Sequence, residues 1–190
     1  HPRDPDTVYA SGLPLGVAGT YKTADGGESW EKLDKGGIYH YYADELYIHP
    51  AEPDRVYNIA DVGILFESKD GGATWNSLID PQFGVHSPGQ PKTAFQFSSI
   101  YALEVSENDP DLIYAVKNGF GVFKSTDGGV TWRYQVFSPD YSYSLAVDPD
   151  NPHIVYSGYQ RKVFEEEASF YRSRPGEEEW DQLLTISGVT

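Results

Sequence analysis

The octet STDGGVTW, Ser125 to Trp132, joins an acidic, glycine-rich turn to a tryptophan. Three relatives of it stand elsewhere in the chain: TADGGESW over residues 23–30, SKDGGATW over 68–75 and SRPGEEEW over 173–180. All four tryptophans of the 190 residues, Trp30, Trp75, Trp132 and Trp180, close one of these octets, at spacings of 45, 57 and 48 residues. A second motif precedes each octet: PDTVY ending at Tyr9, PDRVY at Tyr57, PDLIY at Tyr114 and PHIVY at Tyr156. Self-similarity at such a period marks a repeat array, so the chain is read as four related units.

The second unit shows what one repeat builds. ELYIHP (Glu45 to Pro50) alternates apolar and polar residues as a half-buried strand does, the turn AEPD follows, and RVYNIA is a second strand. After Asp61 to Gly63 come a third strand, ILFES, the turn KDGGA and a fourth strand, TWNSL. Four antiparallel strands per repeat make one propeller blade. The expected fold is therefore all-β, a β-propeller of four-stranded antiparallel blades, in a single propeller domain with blades near residues 1–35, 36–80, 98–137 and 142–185.

Within each octet, the aspartate can accept hydrogen bonds from backbone N–H groups of its own turn, and paired glycines allow positive φ. The tryptophan then buries a large ring beside the next blade. Asp25, Trp30, Asp70, Trp75, Asp127, Trp132 and Trp180 are thus read as structural. The pattern S/T-x-D-x-G-x-[ST]-W resembles the Asp-box, or BNR repeat, of sialidase-like propellers, and the resemblance covers essentially the whole chain. The fourth octet departs from it, with Pro175 at the aspartate position.

Composition narrows the function. A formal charge of −15 repels phosphate backbones, which argues against a nucleic-acid partner. Apolar runs are too short for a membrane-spanning helix. There is no cysteine, and the five histidines are too dispersed for a zinc set; His49 and His153 fall in inter-strand turns and read as structural. The octets lack EF-hand spacing, and no motif calls for a cofactor or a metal. The six arginines are scattered, unlike the cluster a sialidase uses for its substrate carboxylate.

Successive antiparallel strands reverse direction, so the octets lie at one end of the blades. The loops 13–18, 61–63, 118–121 and 160–168 lie at the other, with the blade-to-blade connections. The connection DKGGIYHYYADE carries Tyr39, His40, Tyr41, Tyr42 and Asp44, and the long one after Ile79 carries Phe83, His86 and Phe95. Rings beside carboxylates suit a carbohydrate, whose C–H faces stack and whose hydroxyls bond. Equally, Tyr39, Tyr41 and Tyr47 alternate as ordinary strand core does.

Residues 36–68 resemble the opening blade of xyloglucan-hydrolysing endoglucanases built from two seven-bladed propellers, through a G-G run, an H-P-x-x-P turn and a D-V-G segment. The resemblance implies a secreted bacterial enzyme acting on a β-glucan, with Asp61 as a catalytic carboxylate and a polysaccharide or oligosaccharide as partner. Ile59, Ala60 and Ile64 depart from the family's V-Y-x-R-T-D-V-G-G pattern. An inverting glycosidase needs a second carboxylate ~6.5–9.5 Å away, which that family takes from its other propeller. Asp44, Glu45, Glu165, Glu166 or Glu167 could substitute only if the fold places one opposite Asp61, and the run at 165–167 also reads as a solvated loop. The alternative reading is a non-catalytic propeller for protein interaction or assembly, as in sortilin-like receptors and photosystem assembly factors. The chain begins at the end of a first strand without methionine, which reads as a processed or excised piece of a longer propeller. Closure by Ile186 to Thr190, or pairing of two chains into eight blades, is the other option.

Overall fold

A computed structural model describes residues 1–12, 19–33, 43–60, 64–79, 100–117, 121–136, 141–161, 167–174 and 180–187. Every regular element among them is a strand, and each sheet runs through consecutive antiparallel strands. The first sheet holds β1 (Val8–Gly12), β2 (Gly19–Thr23) and β3 (Glu31–Lys32). The second holds β4 (Ala43–Ile48), β5 (Val56–Ala60), β6 (Ile64–Ser68) and β7 (Asn76–Ile79). The third holds β8 (Ile100–Val105), β9 (Ile113–Lys117), β10 (Gly121–Ser125) and β11 (Arg133–Val136). The fourth holds β12 (Tyr141–Val147), β13 (Val155–Arg161), β14 (Glu167–Ser173) and β15 (Trp180–Ser187). These are propeller blades, two in a compact unit over His1–Asp80 and two in another over Pro81–Thr190.

The octets form the hairpins β2–β3, β6–β7 and β10–β11. In the third, the Ser125 hydroxyl accepts from the Gly129 N–H at 2.8 Å and donates to Asp127 Oδ1 at 2.8 Å. Asp127 in turn accepts from the Thr131 N–H at 2.8 Å and the Thr131 hydroxyl at 2.5 Å. Gly128 and Gly129 sit at φ of 70° and 90°, where a side chain would be strained. Trp132 Nε1 closes the turn on the Gly129 carbonyl at 2.9 Å, and its ring is fully buried. The same bonds recur around Asp70 and Asp25. The Thr74 hydroxyl and N–H, with the Ser68 hydroxyl, hold the Asp70 carboxyl down at about 2. That turn therefore keeps its charge-assisted bonds above the ordinary carboxylate range and loses them as pH falls through about 2.

A further bond ties each of these three octets to the turn before the strand on which its hairpin pairs. The N–H of Gly26 donates to Asp6 O, of Gly71 to Asp54 O and of Gly128 to Asp111 O, at 2.9, 2.8 and 2.9 Å. Both hairpin turns thus share one end of the blade. The turn before β5 is capped by His49, whose Nδ1 accepts from the N–H groups of Ala51 and Glu52 at 3.1 and 2.9 Å. In the fourth blade the Ser173 hydroxyl turns instead to the Val155 N–H at 2.8 Å, and Arg172 and Arg174 clamp Asp181 across the β14–β15 hairpin.

Blades stack through the same residues in each unit. In the first, Leu33, Val56 and Trp75 form a buried cluster with Tyr9, Leu46 and Phe66 packed against it. A Cβ at Gly72 would come within 2.5 Å of Leu33 Cδ1, so glycine is what lets the blades approach. The Tyr9 hydroxyl donates to Gly71 O at 3.1 Å, and Lys22 lies 5.1 Å over the Tyr9 ring. In the second unit Leu112, Tyr114, Val116, Val122 and Val155 are buried together, with Leu145, Val147 and Trp180 against them. The Tyr114 hydroxyl reaches Pro152 O at 3.1 Å, and Lys124 lies 5.5 Å over its ring.

Two expectations change. Gln160, Arg161, Glu167 and Ala168 pair within β13 and β14, and Gly121 opens β10, so two of the loops are shorter than the composition implied, because the ladders extend past the last apolar residue. Ile186 and Ser187 pair with Ala168 and Glu167. They complete the fourth blade rather than adding a strand to the first, which has three strands among the described residues.

Trp132→Ala is expected to cost ~3–5 kcal/mol as a large buried ring is lost. Ser125→Ala is expected to cost ~1–3 kcal/mol, because it strands the Gly129 N–H. Urea denaturation checks both, and midpoints equal to the parent's would contradict this account of the turn.

Candidate functional site

β5 ends at Ala60 and β6 begins at Ile64, so these strand ends lie at the blade end opposite the acidic turns. Ala60 pairs with Ala43 on one side and Ile64 on the other, which places the start of β4 at the same end. Ala43 faces Ala60 while Glu45 faces Ile59, leaving Asp44 as an extra residue in a bulge. The same irregularity falls at Tyr101 in β8 and Tyr143 in β12, each opposite the last residues of the second strand of its blade. Bulges re-aim strands and cluster beside functional ends. The bulge at Asp44 and the last paired residue of β5, Ala60, therefore lie at one end of one sheet.

Glu45, another candidate second carboxylate, is exposed and accepts from the Tyr47 hydroxyl. Glu167 opens β14. Asp61, Tyr39, His40, Tyr41, Tyr42, Phe83, His86, Phe95, Glu165 and Glu166 lie outside the described residues. The carboxylates of Asp25, Asp70 and Asp127 are committed to their own turns at the other end. No group of three or more potential metal ligands is present among the described residues. No helix among them is long and apolar enough to cross a membrane.

Sequence reading missed Lys117. It ends β9, faces Ile100 and Gly121 in the ladder, and is 1% exposed. Its repeat counterpart is Ala60, and it immediately precedes Asn118, the counterpart of Asp61. Burial pushes its ammonium down to about 7. The available signal was a lysine where the other second strands carry Gly12, Ala60 and Tyr159.

No protein-family model matches the chain. Xyloglucanase Xgh74A of Acetivibrio thermocellus is 27% identical over 213 aligned positions, covering 92% of this chain and 24% of that protein. A xyloglucanase of Paenibacillus sp is 28% identical over 168 positions, covering 78% of this chain and 15% of that protein. The chain thus spans about a quarter or less of these relatives. Among solved structures, the GH74 xyloglucanase of Xanthomonas campestris matches with a TM-score of 0.66 at 19% identity, over 96% of this chain and 29% of that one. YCF48 bound to D1 peptide matches with a TM-score of 0.59 at 16% identity, over 94% of this chain and 51% of that one. The chain is an all-β propeller segment similar to glycosyl hydrolase propellers. Its sequence is similar to those of xyloglucanases.

Lys117 sets a pH dependence whose sign is fixed. Its folded value of about 7 lies below the unfolded ~10.4, so between these the unfolded chain holds a proton the folded chain lacks. Stability then rises with pH across that window and carries the full burial penalty below it. Lys117→Met is expected to stabilise the fold by roughly 1–3 kcal/mol more at about pH 6.5 than at about pH 9.5. Denaturant titrations of both proteins at the two pH values test this, since every other group is shared; equal differences would refute it.

Proposed function

We propose that the chain is a segment of a secreted or surface bacterial Asp-box propeller that acts on a β-glucan such as xyloglucan. In this reading residues 1–190 are one propeller domain, with blades near 1–35, 36–80, 98–137 and 142–185. The observation that carries it is likeness to xyloglucanases over 92% of the chain. The shared end of β4 and β5, where Asp44 sits in a bulge and Asp61 follows the last paired residue, supports it.

Asp61 is the proposed catalytic carboxylate, either proton donor to the leaving oxygen or base for the attacking water. Tyr39, His40, Tyr41, Tyr42, Asp44, Phe83, His86 and Phe95 are the proposed sugar-binding residues, rings stacking on pyranose faces. An inverting mechanism needs a second carboxylate across the glycosidic bond. Asp44, in the bulge at the start of β4, is the proposed candidate within this chain, and otherwise the group belongs to sequence outside these residues.

Binding of xyloglucan oligosaccharides by calorimetry, beside reducing-sugar release, tests the reading. Tyr42→Ala is expected to weaken binding about tenfold, ~1.4 kcal/mol. Asp61→Asn is expected to leave binding near the parent's and remove any hydrolysis. Should no glycan bind, or should both variants bind as the parent does, a non-catalytic interaction propeller becomes the better reading.

A further inference from the structure

The turn that leads into β5 is held by a side chain that titrates in the neutral range. His49 is fully buried, and its Nδ1 accepts from the N–H groups of Ala51 and Glu52 at 3.1 and 2.9 Å. Two donors on Nδ1 put the ring proton on Nε2, so the bonded form is the neutral imidazole. A second proton has to enter at Nδ1, where it meets both N–H groups and ends both bonds. It also sets a charge where water is excluded, which burial opposes.

Repeat register shows that this position carries a side-chain acceptor in each blade while its chemistry varies. Ser106 holds it in the third blade and accepts from the Asp109 N–H at 3.2 Å. Asp148 holds it in the fourth and accepts from the N–H groups of Asp150 and Asn151 at 3.0 Å each, the same two places that His49 serves. A serine hydroxyl stays an acceptor at any such pH, and a carboxylate does so down to roughly 3.9. In the first blade His1 Nδ1 accepts from the Arg3 N–H at 3.3 Å in a turn open to water. His49 is thus a fully buried cap whose acceptor is lost between about pH 7 and pH 5.

What His49 holds reaches past its own turn. Its N–H donates to Arg55 O at 2.9 Å, and the Arg55 N–H to Glu52 O at 2.8 Å. Asp54 O accepts from the Gly71 N–H at 2.8 Å, and Gly71 O accepts from the Tyr9 hydroxyl and Lys22 Nζ of the first blade at 3.1 and 3.3 Å. The charged groups around the turn are engaged with one another. Glu67 meets Arg55 at 2.5 Å and Lys69 at 3.6 Å, and Glu52 meets Arg55 at 3.5 Å. Arg55 also lies 5.6 Å over the Tyr57 ring, Tyr47 donates to Glu45, and Arg3 donates to Ala51 O at 3.0 Å. An imidazolium would have to compete with Arg55 for carboxylates that Arg55 already holds.

We propose that His49 makes the second blade acid-responsive. One proton taken up at Nδ1 releases the turn before β5 and, through Asp54 and Gly71, the octet that joins this blade to the first. The sign is fixed: the opened turn binds the proton and the closed turn excludes it. Stability is therefore full above the ordinary histidine value of ~6.5 and falls as pH drops below it. One proton makes opening about tenfold more favourable per pH unit in that range. The acidic turn itself stays intact there, since Asp70 remains ionised down to about 2.

Hydrogen exchange on the full chain, read by mass spectrometry and corrected for the intrinsic rate at each pH, is the test. Between about pH 7.5 and pH 5.5, residues 49–57 and 68–75 are expected to lose about tenfold in protection. Their third-blade counterparts, 106–114 and 125–132, are expected to keep theirs. His49→Asp installs the residue that the fourth blade uses, and His49→Asn supplies a neutral acceptor should a buried carboxylate prevent folding. Both are expected to abolish the pH dependence at residues 49–57. Equal protection of these residues in the parent at the two pH values overturns the proposal. So does a tenfold loss that persists in a folded variant, or one shared by residues 106–114.

Discussion

The bond from the first glycine N–H of each acidic turn to the carbonyl of the aspartate before the second strand is the constraint on which the blade depends. It runs from Gly26 to Asp6, Gly71 to Asp54 and Gly128 to Asp111. A donor in the turn between the third and fourth strands meets an acceptor in the turn between the first and second. It therefore fixes one end of the sheet across hairpins distant in sequence. The aspartate side chain cannot make this bond, because it is already committed to the hydroxyl and N–H four residues on. Its role is to hold the turn in the shape that aims the glycine outward, an Asx-type use of a short acidic side chain.

Once that end is fixed, stacking follows from what the turn leaves in place. The octet tryptophan bonds a carbonyl of its own turn, and in the second blade its ring packs against Leu33 of the first. The position before the octet's serine or threonine decides the electrostatics of the blade face. It is Lys22, Lys124 and Arg172 in three blades but Glu67 in the second, a reversal met by Arg55, whose Nε lies 2.5 Å from Glu67 with both side chains buried. Removing either partner would leave an uncompensated buried charge, the costly half of such a pair. In the second blade the reversed sign is met by an arginine in the turn that leads into β5.

The turns and strands were legible in the sequence because their causes are local. Gly128 and Gly129 stand where positive φ is required, Asp127 where a turn acceptor is required, and ELYIHP over residues 45–50 reads as an alternating strand. The ends of strands were less so. Ala168 and Ile186 read as loop and tail, yet they pair with each other, since a ladder continues wherever backbone groups meet regardless of side chain. The bulges at Asp44, Tyr101 and Tyr143 leave no composition signature, because they arise from pairing between strands and not from the strand that carries them. Lys117 reads as a surface residue by type; only the closeness of β8 and β10 on either side buries it. Of the candidate site, Asp61 was reached by family resemblance, while the bulge at Asp44 opposite the end of β5 needed the register.

A division of labour between the two ends of each blade explains why the same turn is written with so little change while the opposite loops differ in every repeat. At the acidic end, length is fixed: a residue added within the octet would break the serine, aspartate and tryptophan bonds together. At the other end the connections close antiparallel strands whose register is already set by the acidic end and by stacking. Extra residues there cost only the slowly growing entropy of a longer loop. The 57-residue spacing between Trp75 and Trp132 is that tolerance in use, with the added length falling after Ile79. Rings and carboxylates accumulate in the same connections, where chemistry can vary without disturbing the bonds that hold the blade.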